Sequence, residues 1–235
     1  MLKLRLSSVL VFLASALFSA NSNGGQAGNK TPAAADWLID PAGLSGVIRR
    51  ATTRADLVRL YGRGNVEDGK MDVGEGETVP ATIIFASDPK RRIGISWEDE
   101  LHNKNSVRVQ IDGDASLWHT VGGVTLGTRL KTLERMNGGQ FNLSGFAWDY
   151  SGTVRSWQGG KLESAFQPGD QRWRTVLRLS PVHSGPNQEI SRAEKALLGD
   201  GEFSSADPNM QRLNPAVYQI IWFFPVASLA SRPPN

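Results

Sequence analysis

A change of period inside one segment limits this chain to a helix followed by sheet. The segment is Gly122 to Trp157, GGVTLGTRLKTLERMNGGQFNLSGFAWDYSGTVRSW. Leu130, Leu133 and Met136 recur every three residues, which is one stripe of a short amphipathic helix, and Thr128 is its predicted N-cap. Asn137-Gly138 ends it, because both residues tolerate the left-handed backbone of a helix stop. From Phe141 to Tyr150 the pattern alternates. Asn142, Ser144, Phe146, Trp148 and Tyr150 face one way; Phe141, Leu143, Gly145, Ala147 and Asp149 face the other. Ser151-Gly152 fits a two-residue hairpin turn. That turn predicts Tyr150 opposite Thr153, Trp148 opposite Arg155 and Phe146 opposite Trp157. The aromatic face has two readings, a core layer against the helix or an exposed surface for a partner.

The helix part of this segment has an earlier counterpart. Thr52, Leu57, Arg59, Leu60 and Gly62 precede Thr128, Leu133, Arg135, Met136 and Gly138 by a constant 76 residues. A Gly-Val pair leads into each helix, at Gly46-Val47 and at Gly123-Val124. Thr53 with Asp56 forms a predicted capping box, Leu57, Leu60 and Tyr61 the apolar stripe, and Gly62 the stop. Asp40-Pro41 predicts one turn of helix before it.

Strands follow. VEDGKMDVGEGETVP reads as an acidic loop, then Thr82–Ala86 as a strand. Ile93, Ile95 and Trp97 alternate in the next strand, and Glu98 to Asn105 reads as a charged loop. Val107, Val109 and Ile111 alternate with Arg108 and Gln110, so this third strand has one wet face. Lys161 to Phe166 is read as a chain return after the Gln158-Gly159-Gly160 turn, and Thr175–Leu179 as a strand. Ser191 with Glu194 caps a short helix, and Ala216–Phe224 is a buried strand bounded by Pro225. The expected fold is α+β: two helix-plus-antiparallel-sheet units, 36–118 and 119–235, the second completed by a C-terminal helix and strand.

The N-terminus predicts export. Met1 to Arg5 is basic, Val9 to Ala20 is a short apolar run, and small residues supply cleavage points after Ala16 or Ala20. Residues 1–20 are therefore read as a cleaved signal peptide and 21–35 as a disordered linker. A periplasmic or secreted location follows, with no stable membrane insertion after cleavage. Without Lys3 and Arg5, the 26 basic residues fall to one more than the 23 acidic ones, which is not a nucleic-acid-binding balance. Cysteine is absent, so neither a lipid-bearing cysteine nor a disulfide exists.

The paired units, Gly46-Val47, Thr52, Leu57 and Gly62, then Gly123-Val124, Thr128, Leu133 and Gly138, resemble those of two groups. One is the SmpA/OmlA outer-membrane assembly lipoproteins. The other is the β-lactamase inhibitory protein, with two such units in tandem. The whole chain is similar to exported bacterial proteins of unassigned function that carry GFxWDYxGTVxSW, here Gly145 to Trp157. These resemblances imply protein binding through a sheet surface, without catalysis. The missing cysteines depart from both groups, so the architecture is carried over and no inhibitory residue is.

Catalytic motifs are scarce. His102, His119 and His183 lack the spacing of metal ligands, and HExxH, CxxC, G-x-S-x-G and Gly-rich Lys-Ser/Thr patterns are absent. Carboxylates are the better candidates: Glu75 and Glu77, Asp112 and Asp114, and Asp149 between two aromatics. Asp112-x-Asp114-x-Ser116 starts like a calcium loop, but Gly123 stands where the closing Glu belongs. The expected function is an exported, non-catalytic binding protein using Phe146, Trp148, Tyr150, Arg155 and Trp157, without cofactor or metal. Its expected partner is an envelope protein or glycan. The alternative is a carboxylate-dependent hydrolase acting on cell-wall or other glycans.

Overall fold

The computed structural model describes residues 37–40, 43–44, 48–167, 174–182 and 190–224. The predicted signal peptide, linker and first Gly-Val pair lie outside the described residues. In order, the chain forms β1 (Leu38–Asp40), β2 (Gly43–Leu44), α1 (Arg54–Tyr61), β3 (Val66–Gly74), β4 (Glu77–Ile84), β5 (Ile93–Asp99) and β6 (Lys104–Asp112). Then come β7 (His119–Thr120), α2 (Leu130–Asn137), β8 (Asn142–Ser144), β9 (Val154–Ser156) and α3 (Lys161–Phe166). β10 (Arg174–Ser180), α4 (Arg192–Lys195), β11 (Glu202–Ser204), α5 (Pro208–Leu213) and β12 (Ala216–Phe223) complete it.

The fold is α+β. An antiparallel sheet of six strands, in the order β10-β12-β6-β5-β4-β3, carries it. β11-β8-β9 form a smaller antiparallel sheet, and β2-β1-β7 a short one in which β1 and β7 are parallel. The six-stranded sheet takes four strands from before residue 118 and two from after it, and the described residues cluster as one compact unit. Val109 and Ile111 of β6, Ile220 and Trp222 of β12, Leu177 and Leu179 of β10 and Ile93 and Ile95 of β5 share one face. They pack in one core with Leu57, Leu130, Leu133 and Leu162 of the helices.

Local chemistry explains α1. The Thr53 N–H donates to Asp56 Oδ2 at 2.9 Å and the Asp56 N–H to Thr53 Oγ1 at 3.2 Å, the predicted capping box. Gly62 ends the helix at φ +83°. Leu57 is buried, whereas Leu60 is half exposed and does not join the predicted stripe.

Helix α2 corrects the predicted cap. Its N-cap is Arg129, not Thr128. Thr128 is spent on β12: its carbonyl accepts from Val217 N–H, and Arg129 pairs with Ala216. The cap arrives from far along the chain, because Asn214 Oδ1 accepts from Lys131 N–H at 3.0 Å. Gly138 is left-handed, as the stop requires.

Four further expectations are corrected. The acidic loop is the β3–β4 hairpin, turned at Glu75-Gly76 with φ of +58° and +71°. Its charges sit on an outer strand, where water solvates them. Much of the charged Glu98–Asn105 loop is the paired end of β5 and β6. Lys161–Phe166 is helical, because Leu162 and Phe166 at i,i+4 both reach the core. Asp40 ends β1 and Gly43–Leu44 form β2, where Asp40-Pro41 predicted the start of a helical turn; Pro41 itself lies outside the described residues.

Candidate binding site

The predicted aromatic hairpin forms differently. β8 and β9 pair through Asn142–Ser156 and Leu143–Val154, so Trp148 does not oppose Arg155, and Phe146 does not oppose Trp157. Gly145 to Thr153 is a loop, and Ser151-Gly152 is a β-turn within it, closed by Thr153 N–H to Tyr150 O. Two glycines set this shape. Gly152 packs its backbone on β10, with Leu179 N–H donating to its carbonyl, and an added Cβ would stand 1.8 Å from Leu179 O. At Gly145 an added Cβ would meet the carbonyls of Leu197 and Gly199 at 2.5 Å. The loop backbone docks on neighbouring backbone, which overrides strand alternation.

The five aromatic-segment residues therefore separate. Trp157 is buried between Phe141 and Phe166, at centroid distances of 5.1 and 5.3 Å. Phe146 is buried, and its backbone bonds to Leu197 and Gly199. Arg155 is exposed on β9. Only Trp148 and Tyr150 come together at the surface, edge to face at 5.3 Å. Trp148 Nε1–H donates to Gly145 O at 3.2 Å. The cation over an aromatic ring here is Arg178, 5.5 Å from the centre of Tyr150. Tyr150 Oη donates to Glu75 Oε1 at 3.1 Å, and that bond, with the Glu75 charge, raises the phenol above its ordinary pKa.

These contacts lead to the other face of the large sheet, where the expected wet face is corrected: Arg108 and Gln110 are polar but buried, because the β3–β4 hairpin lies over them. Register places Arg108, Phe223 and Arg174 in one row, Gln110, Ile221 and Val176 in the next, and Asp112, Gln219 and Arg178 in the third. The β3–β4 hairpin covers it. β4 pairs with β5 only from Thr82 to Ile84, while β3 and β4 stay paired out to Gly74 and Glu77. The outer hairpin thus leaves the sheet, and its tip reaches Tyr150. Met71 lies over Gly94, where an added Cβ would be 3.0 Å from the Met71 sulfur. A cleft of about 400 Å³ lies between Lys70, Asp72 and Thr78 of the hairpin and Arg92, Gln110 and Asp112 of the sheet.

A chain of hydrogen bonds runs along β6. Arg108 Nη2 donates to Gln110 Oε1 at 2.6 Å, Gln110 Nε2 to Asp112 Oδ2 at 3.1 Å, and Arg92 Nη1 to Asp112 Oδ1 at 3.0 Å. Asp112 is therefore satisfied by Arg92 and Gln110. Arg108 and Arg178 are 9% and 8% exposed, and neither forms an ion pair among the described residues. Arg108 Nε, Arg178 Nε and Gln219 Oε1 are buried without a hydrogen-bond partner there. Burial, then the neighbouring charge of Arg178, lowers Arg108 to about 10, so it stays protonated at neutral pH. Of these residues, sequence reasoning reached the alternation of Arg108 and Gln110 and, as a carboxylate candidate, Asp112. Arg174 and Arg178 interleave with Thr175, Leu177 and Leu179 in the same way, and that signal pointed to the same face.

The other sequence candidates occupy separate places. Glu75 accepts from Tyr150, and His102 sits 2.9 Å from Asp99 in the exposed β5–β6 turn. His119 lies on β7. Among the described residues no cluster of three or more His, Asp or Glu fits a metal ion, and no helix is long and apolar enough to cross a membrane. No family model, curated protein or solved structure matches the chain.

Proposed function

We propose that the chain is an exported, non-catalytic binding protein whose ligand is a small anion-bearing molecule held between the β3–β4 hairpin and the polar face of the sheet. The carrying observation is the pair Arg108 and Arg178, both more than nine-tenths buried, with Nε donors unpartnered among the described residues. Burying a guanidinium costs several kcal/mol unless an anion and hydrogen bonds compensate. Arg offers a planar fork of donors, matched to carboxylate or phosphate. Asp112 does not supply that anion, since Arg92 and Gln110 occupy it. The basic start and short apolar run support export. The aromatic surface contracts to Trp148 and Tyr150, beside Arg178 at one edge of the site.

Thermal melts at fixed ionic strength test this reading. Acetate, phosphate and citrate are compared with chloride. At least one should raise the melting temperature of the purified protein by a few degrees, as ligand linkage gives about 2.7 kcal/mol at a hundred times the Kd. The double variant Arg108→Met, Arg178→Met should lose that response. Equal shifts in both proteins, or none in either, would overturn the proposal.

A further inference from the structure

Beside the polar cleft lies a second one, and Arg108 is common to both networks. The second cleft, about 280 Å³, is lined by Val73 and Val79 of the hairpin, Arg108 and Phe223 of the sheet, and Glu100 of the β5–β6 turn. Phe223 is flanked by Arg174 at 4.9 Å and Arg108 at 5.6 Å from its ring centre. Arg108 thus touches an apolar cleft and, through Gln110, the polar one. We infer that the ligand is an amphiphile, a short alkyl or aryl group ending in one oxyanion. Its apolar part lies among Val73, Val79 and Phe223, and its oxyanion accepts from Arg108. Charge complementarity selects this occupant, because Arg108 lines the cleft and a neutral hydrocarbon leaves its buried guanidinium without an anion. Size limits the apolar part, because small-molecule sites span about 300–1,000 Å³ and this one, about 280 Å³, falls just below them.

The inference rests on the anion-binding reading and adds the tail. Calorimetric titration of the purified protein with octanoate, octyl phosphate, acetate, inorganic phosphate and octanol separates the two. Octanoate or octyl phosphate should bind at least about a hundredfold more tightly than acetate or phosphate, as several buried methylenes allow. The tighter of the two names the head group. Octanol should not bind measurably. Arg108→Met should abolish binding of the amphiphiles, and Val79→Ser should weaken them about tenfold while leaving acetate and phosphate unchanged. If acetate or phosphate binds as tightly as its octyl counterpart, the tail is wrong and the anion site stands. Should octanol match octanoate, or Arg108→Met bind normally, the head group is wrong. Absence of any binding would sink this inference and the functional reading together.

Discussion

Trp148 and Trp157 stand nine positions apart in one segment and take different roles. Trp157 fills a core layer between Phe141 and Phe166. Trp148 lies half-buried on a loop, held by one side-chain hydrogen bond to Gly145 O and an edge contact with Tyr150. Trp157→Ala should therefore cost about 3–5 kcal/mol, as truncation of a buried aromatic does. Trp148→Ala should cost about 1 kcal/mol, near the worth of one hydrogen bond. Urea unfolding of the two variants checks this, and similar losses would contradict the assignment. The sequence pattern placed both tryptophans in one hairpin with facing strands. Gly145 and Gly152 explain why that failed. Each is required by the backbone of a distant segment, Leu197–Gly199 and Leu179, and local spacing carries no trace of those neighbours.

Elements whose determinants are local were readable, and those completed from elsewhere were not. The α1 capping box needs only Thr53 and Asp56, and it forms as read. The start of α2 depends on Asn214, Ala216 and Val217, which follow it by some eighty positions, so Thr128 looked like a cap and is not one. The box has a pH signature. Hydrogen bonds from the Thr53 side chain and backbone hold Asp56 below its ordinary pKa. A depressed folded pKa contributes stability that is complete above the unfolded value, about 3.9, and is lost as pH falls through the folded one. Asp56→Asn should therefore destabilise the protein at pH 7 by about 1 kcal/mol, and the gap should close toward pH 2. Urea titrations at several pH values check this. A gap that persists unchanged at acid pH would show that the Asp56 charge is not what the cap uses.

At the scale of the whole molecule, α+β character was legible from period changes along the chain. The sheet order was not. β12 inserts between β6 and β10, a pairing of residues 108–112 with 219–223 that no local pattern encodes. That insertion builds the covered polar face and places Arg178 on the same face as Arg108. The hairpin closes over it through Tyr150 and Glu75. Tyr150→Phe should leave the melting temperature within about 1–2 °C, since one exposed bond is worth little. Amide exchange at Val73–Thr78 should quicken, because that bond holds the tip. Unchanged exchange there would mean the tip is held by packing alone.

Arg108 and Arg178 are kept either for a ligand or for the fold. Urea unfolding of ligand-free wild type and of the Arg108→Met, Arg178→Met variant decides between the two directly. Even buried charges that are paired can often be replaced by well-packed apolar side chains of similar volume with a neutral or stabilising effect of about 1–4 kcal/mol, and unpaired ones cost the fold more to keep. The variant should match or exceed the wild type in stability. A loss of about 3 kcal/mol or more would show that the two arginines hold the sheet together, and would contradict the binding site proposed here.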